Sequence, residues 1–347
     1  MSKVLDNKCP SCGAAIHFKP ELGKFKCDYC DSEFTAEQLK DMDKLSKEED
    51  NYSNYVNYNC PDCGAEIITD DNTAATFCVY CGNTSIIKNR LSGEFAPSKI
   101  IPFKVEKKKA IEAFKNLRKG RPLTPKFFTN EKNIEKIQGV YIPFWLYDVN
   151  VSGTIEAKAT KVSSWTSGDT HYTKTDYYKV IRSGEMSYNK VPVDGSTRFN
   201  NDMMNSIEPF DYGKLIDYNH AYLSGFLAEK YDVSSDDAFN DAKTRTLNST
   251  RDEMLSSMIG YSSKNITSNN LDSSINNKEY VLLPVWMVNV KYNGNYYLFA
   301  MNGESGKFIG NIPLDKKKAF IFTIIIFVIA LLICIGISYL IYLGGNA

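Results

Sequence analysis

Eight of the nine cysteines fall into two copies of one pattern, C-x2-C-x14-C-x2-C: Cys9, Cys12, Cys27 and Cys30, then Cys60, Cys63, Cys78 and Cys81. Nothing else in the chain constrains its folding as tightly. A CxxC pair closes a tight turn that aims two sulfurs at one point, and the x14 spacer is long enough for a hairpin that brings the second pair opposite the first. Four thiolates around one point specify zinc in a closed, tetrahedral, structural site. Gly13 and Gly64 each follow the second cysteine of a leading pair, where such a knuckle calls for positive φ. A segment this short buries too little apolar surface to fold by itself. The ion takes the place of a core, at about 10–16 kcal/mol of apparent binding free energy in comparable peptides. The sequence therefore predicts two zinc ribbons, over 1–35 and 59–90, holding one structural Zn2+ each. With four sulfurs filling the coordination sphere, no position is left for a catalytic water. His17 has no counterpart in the second copy and is expected to be a surface histidine.

The remaining cysteine, Cys334, lies in an apolar run. A secreted disulfide protein would spread bridges through its fold, so the clustering points to metal binding in a reducing compartment. MSKVLDNKCP offers no signal-peptide core, which agrees with a cytosolic cysteine end. Residues 1–90 carry 10 Lys/Arg against 15 Asp/Glu. That is the wrong sign for ribbons that grip phosphate, and it favours a protein partner over nucleic acid. The stretch 36–58 reads as an acidic and then Asn/Tyr-rich linker.

AFIFTIIIFVIALLICIGISYLIYL, residues 319–343, is free of charge. As a helix it would be about 37 Å long, against about 30 Å for a bilayer core. Lys316, Lys317 and Lys318 precede it, and the positive-inside rule then puts the large N-terminal part in the cytoplasm. The expectation is a single-pass, tail-anchored protein of the cell membrane with its C-terminus outside.

Between the ribbons and the span, 95–313 should form the main domain. VEKKKAIEAFKNLRKGR has Ile111, Phe114 and Leu117 on one face and is expected to be a helix; 10 basic residues lie between Lys99 and Lys126, beside only Glu106 and Glu112. YIPFWLYDVNVSG and LLPVWMVNVKYNG share P-x-W and a closing glycine, an internal echo in which Pro143 and Pro284 are expected at strand entrances. Ala221–Glu229 and Ser234–Gly260 read as helices, and 153–162, 172–181, 296–301 and 306–309 as strands. Strands, then helices, then strands predict an α+β fold. No nucleophile motif, Walker loop or dinucleotide fingerprint occurs. Asp211, Asp217, Glu229 and Asp232 with His220 are the nearest thing to an acid–base cluster, and no catalytic residue is assigned.

With these segments in view, the chain resembles the bacterial double-zinc-ribbon membrane proteins of the YdjG type. The resemblance rests on the paired ribbons, IPFKVEKKKAIEAFK, GVYIPFWLYDV, IEPFDY, YLSGFLAEKYDV, LLPVWM and the terminal span. It implies a membrane tether in a cell-envelope stress, phage-shock-like system. The implied partners are phage-shock-protein-A-like or SPFH (flotillin-like) proteins, and the family offers no catalytic residues to carry over. The expected function is a membrane-tethered adaptor that recruits a protein to the lipid bilayer. The competing expectation is a membrane-bound nucleic-acid regulator using the ribbons and 99–126; a membrane-surface enzyme stands third.

Overall fold

The computed structural model describes residues 9–43, 55–61, 63–70, 78–80, 87–90, 97–125, 136–198, 201–310 and 312–344. The first cysteine segment, compatible with the expected ribbon and called the first ribbon below, comprises β1 (Ile16–Lys19), β2 (Lys24–Cys27) and β3 (Glu33–Phe34), followed by α1 (Ala36–Asp43). The second contributes β4 (Tyr55–Asn59), β5 (Glu66–Asp70) and β6 (Ile87–Arg90). The stretch read as a linker, 36–58, thus holds a helix and most of a strand.

The central part runs β7 (Lys99–Ile100), α2 (Lys107–Lys115), β8 (Gln138–Ser167), β9 (Thr170–Asp194), α3 (Asn201–Ile207), β10 (Ile216–Asp217), β11 (Leu227–Glu229), α4 (Ser235–Ser256), β12 (Ser263–Tyr292), β13 (Asn295–Asn302) and β14 (Phe308–Gly310). A helix, α5 (Lys316–Gly344), ends the described chain. Mixed α and β content around a sheet-rich core agrees with the α+β expectation. The expected helix at 221–229 is not formed. After one 3-10 turn, His220–Leu223, the backbone reaches Gly225 at φ +85° and then extends into β11. That strand pairs on both sides, with β8 and with β5, which is more than a short apolar helix would satisfy.

β8 and β12 are each 30 residues long, about 100 Å at the rise of a strand, and pair antiparallel along most of their length. The β8–β9 hairpin and β12 make a three-stranded arm. Along it Val149, Val151, Ile155, Ala157 and Ala159 of β8 are buried at spacings set by the strand period. α4 covers that face with Ala238, Ala242, Thr246, Thr250 and Met254, one residue per helical turn, and the small side chains let the helix lie close. Ser234 caps α4 by accepting the Asp237 N–H at 3.2 Å.

The internal echo turns out to be a duplication. β8 and β12 cross with Ile142 opposite Leu283, so Pro143 and Pro284 sit symmetrically about that pair. The Gly195 N–H donates to the Pro143 carbonyl at 2.9 Å, and the Gly303 N–H to the Pro284 carbonyl at 2.8 Å. Gly195 O accepts from Asp232 and Val233; Gly303 O accepts from Lys104 and Val105. Trp145 Nε1 donates to Val233 O at 3.0 Å, and Trp286 Nε1 to Val105 O at 2.8 Å. The asparagine–aspartate pair follows suit: Asp194 Oδ1 accepts the Ser196 N–H and Asn302 Oδ1 the Glu304 N–H. Each half is strand–helix–long strand–return strand, and the leading strands are exchanged: β7 pairs with β12, and β11 with β8. The prolines are therefore mid-strand, which corrects the expected strand entrances. Each proline's carbonyl points away from the central pairing, so its missing N–H falls on the outer side, where one neighbouring strand ends and the next begins.

Candidate metal centres and the seam beneath them

In the first ribbon all four sulfurs lie within 4.8 Å of one another. Cys9 Sγ is 3.5 Å from Cys30 Sγ, and Cys12 Sγ is 3.6 Å from Cys27 Sγ. An ion bound tetrahedrally at about 2.3 Å from each sulfur sets the sulfurs about 3.8 Å apart, so the donor set fits. The knuckles are built as the sequence requires. Gly13, at φ +76°, donates to Cys9 O, and the Cys9 N–H returns to Ala14 O. At the second knuckle Asp31 adopts φ +59° and donates to Cys27 O. Four thiolates this close repel one another unless a cation sits between them. Hydrogen bonding by Ser32 draws Cys30 down to about 6, while Cys12, in spite of the Ala14 amide that lowers it, is pushed up to about 12 by desolvation and its thiol neighbours. A divalent cation would resolve this by accepting all four as thiolates.

In the second ribbon Cys60, Cys63 and Cys78 converge, with Cys63 Sγ and Cys78 Sγ 3.6 Å apart. Cys81 lies outside the described residues. Gly64 at φ +71° donates to Cys60 O, as Gly13 does to Cys9 O.

The two ribbons meet the central sheet differently. β5 of the second ribbon pairs with β11, Ile68 opposite Ala228 and Ile67 opposite Glu229, and so extends the sheet. The first ribbon keeps its own small sheet and rests on the 222–224 turn. Phe18 and Phe25 pack on the Tyr222 ring at 5.0 and 5.1 Å between centroids, and the Ser224 hydroxyl donates to Ile16 O. His17 belongs to this seam: its Nδ1 is 3.1 Å from Ser224 Oγ and its Nε2 is 3.6 Å from Asp28 Oδ2. It is neither a ligand nor the free surface histidine expected, because Ser224, which donates to the neighbouring Ile16 carbonyl, also meets the imidazole.

Position for position, Tyr29 and Tyr80 occupy the same place in the two closing CxxC pairs. Tyr29 is 82 % exposed. Tyr80 turns onto the sheet and donates its hydroxyl to Glu229 Oε2 at 2.8 Å, while Asn289 Nδ2 donates to its carbonyl. Glu229 is fully buried and also accepts from the Ser196 hydroxyl at 2.8 Å and Arg198 Nη1 at 3.0 Å. Arg198 Nη1 reaches Asp232 as well, and Nη2 donates to Gly64 O at 2.6 Å, tying the knuckle of the second ribbon to the seam. Thr197 holds Asp232 through its N–H and hydroxyl. Desolvation pushes Glu229 up to about 7 against the Tyr80, Ser196 and Arg198 hydrogen bonds; desolvation and then the Glu229 charge push Asp194 up to about 8.

The acid cluster read from sequence is thus divided. Glu229 and Asp232 share Arg198, whereas Asp211 and Glu304 share Lys214, at 3.1 and 2.5 Å. Asp217 lies in β10 opposite Lys99, and the His220 side chain is outside the described residues. Asp194, Ser196 and Arg198 escaped sequence reading. The available signal was the VDGST/MNGES match, the second part of the internal repeat.

Among the described residues one helix, Lys316–Ile337 within α5, is long and apolar enough to cross a membrane. Among known proteins, the chain is similar to the Bacillus subtilis (strain 168) protein YdjG, 36 % identical over 315 residues, spanning 91 % of this chain and 92 % of that protein. No protein-family model matches the chain. No solved structure matches it either.

Proposed function

We propose, for a chain that belongs to the YdjG family, the role of a non-enzymatic, membrane-tethered zinc-ribbon adaptor. The helix of α5 holds it to the cell membrane with the ribbons on the cytoplasmic side, and the first ribbon presents the docking surface for a protein partner. The observation that carries this reading is the contrast between the equivalent tyrosines. Tyr80 is consumed by contacts within the chain, while Tyr29 is 82 % exposed and shares the first ribbon with Leu22, 44 % exposed. Exposed aromatic and aliphatic side chains on a metal-stiffened turn lose little conformational entropy on binding, the character of an interface anchor. Bound zinc would supply rigidity alone: Cys9, Cys12, Cys27 and Cys30 hold one ion, Cys60, Cys63, Cys78 and Cys81 the other. The partner class we favour is a membrane-remodelling protein of the phage-shock-protein-A or SPFH type in a cell-envelope stress system.

The test is a nuclease-treated pull-down of the full chain from detergent-solubilised membranes, with Tyr29→Ala and Leu22→Ser beside the wild type. A specific protein recovered with the wild type and lost with Tyr29→Ala is the expected result. Recovery of nucleic acid from untreated samples, with no specific protein and no effect of Tyr29→Ala, would sink the adaptor and favour a nucleic-acid regulator.

A further inference from the structure

The outer edge of the arm is open: among the described strands β9 pairs with β8 alone. Which of its backbone groups face outward follows from the other side of β8. There Ser262 donates its N–H to Thr160 O at 2.6 Å, and its hydroxyl accepts the Val162 N–H at 3.0 Å, so Thr160 and Val162 turn their backbone groups toward β12. Their opposites on β9, Tyr177 and Thr175, therefore turn theirs to solvent, as does every second residue along that strand. An edge of this length invites another strand unless something blunts it. The opposite edge of the arm, on β12, is broken by register shifts at Ile266/Ser268 and Ile275/Asn277. β9 has no shift between Thr170 and Tyr188. It also carries exposed apolar and aromatic side chains: Tyr177, 77 % exposed, and Ile181, 49 %, on the face away from α4, with Tyr172 and Tyr178 on the α4 face. Two of its charges are already met, Lys174 by Asp176 at 3.0 Å and Lys179 by Glu156 at 2.8 Å. Arg182 is held by Ser257 and has no carboxylate partner among the described residues.

We propose that this edge pairs with β9 of a second copy of the chain, antiparallel about a two-fold axis at Lys179. That register sets Tyr177 opposite the partner's Ile181, Tyr178 opposite the partner's Val180, and Asp176 opposite the partner's Arg182, each twice by symmetry. Neighbouring registers lose the match. An axis at Tyr178 sets Lys174 against the partner's Arg182; axes at Val180 and Ile181 leave Asp176 facing the partner's Gly184 and the partner's Met186. The two Lys179 side chains meet on the axis, where each already has Glu156. Pairing over 171–187 would add about 18 ladder bonds, beyond the roughly 10 direct hydrogen bonds of a typical interface. Bulk does not oppose it. α4 lies over the half of β9 nearer the central sheet: the Tyr188 hydroxyl meets Thr250 Oγ1 at 2.8 Å, and Arg182 Nε donates to Ser257 Oγ at 3.1 Å. The two α4 helices therefore follow one another along the same face and do not collide. The stacked Trp165 and Tyr172, 51 % and 46 % exposed past the end of α4, come to lie beside the partner's Met186. Two copies joined in this way present two first ribbons, and the pairing holds whatever those ribbons dock.

The test uses the full chain, zinc-loaded and purified in a neutral detergent, with its mass read by sedimentation. The wild type should be a dimer. Ile181→Pro removes an outward N–H while sparing the pairing with β8, and should be a monomer. Arg182→Asp should be a monomer too, and adding Asp176→Arg to it should restore the dimer, which a mere folding defect would not allow. Register is read by disulfide trapping in a Cys334→Ala background. Lys179→Cys should link to itself, and Thr175→Cys only to Ser183→Cys when the two variants are mixed. A dimer held by α5 alone would keep its mass in Ile181→Pro. That result, a monomeric wild type, no rescue of Arg182→Asp by Asp176→Arg, or Thr175→Cys linking to itself would each overturn the pairing; a monomer would leave the edge to a strand of another protein.

Discussion

Glu229 shows how a single side chain can hold a module in place. It is the hydrogen-bond hub beneath the second ribbon, and with Asp194 it is a carboxyl that ionises at higher pH when folded than when unfolded. The folded form therefore binds more protons across that interval, and the stability contributed is full on the acid side and falls as pH rises through about 7 to 8. Melting temperatures of the zinc-loaded protein between pH 6 and pH 8.5 should decline for the wild type and decline less for Asp194→Asn, which cannot ionise. Parallel slopes would show that the two carboxyls do not govern this seam. Removing the hub is another matter. Glu229→Ala would leave Arg198 with Asp232 as an ion-pair partner and remove the carboxylate to which the Tyr80 hydroxyl donates, and truncating one partner of a buried pair costs about 3–5 kcal/mol.

At the scale of elements, the two ribbons share a sequence pattern but not a structural role. β1–β3 form a separate three-stranded sheet, while β4–β6 belong to the 11-stranded sheet through the β5–β11 pairing. Loss of zinc should then act unequally. Cys9→Ser with Cys12→Ser should unfold the first ribbon and leave the central transition nearly where it was. Cys60→Ser with Cys63→Ser should free the β11 edge and lower the melting temperature of the whole sheet. Thermal scans of the two double variants at saturating zinc decide this; equal losses would mean that the ribbons are energetically equivalent. Much of this scale was legible beforehand. The knuckle glycines, α2, α4 with its Ser234 cap, and the strands that became parts of β8, β9, β13 and β14 all follow from local chemistry. The helix expected at 221–229 did not, because Leu227–Glu229 take their conformation from partners on β8 and β5 that are remote in sequence.

For the whole molecule, the duplication has a mechanical consequence. Because β7 lies on β12 and β11 on β8, neither half can complete its own share of the sheet. Residues 1–199 and 200–347, expressed separately, should each be insoluble or lack a cooperative transition, and should co-purify as a folded complex when expressed together. A cooperative transition from either half alone would show that the exchange is dispensable. The pairings also span long stretches of chain, a topology that folds slowly because loop closure precedes most of its stabilising contacts.

By itself the sequence determined what depends on near neighbours: two four-cysteine knuckle sets, an apolar stretch of membrane-spanning length, the amphipathic face of α2, and the P-x-W echo. Each is written in residue spacing, and spacing is all that a turn, a helix or a metal knuckle needs. Only the tertiary structure decided that one ribbon would join the sheet and the other rest on it, and that Tyr80 would be spent where Tyr29 is free. The same holds for the exchanged strands of the two halves and for Leu123 and Thr124 coming to rest against the start of α5. These outcomes turn on pairings between residues far apart in the chain, such as Leu227 with Val140 and Ile68 with Ala228, where hydrogen-bond partners and desolvation are set by what the fold brings together.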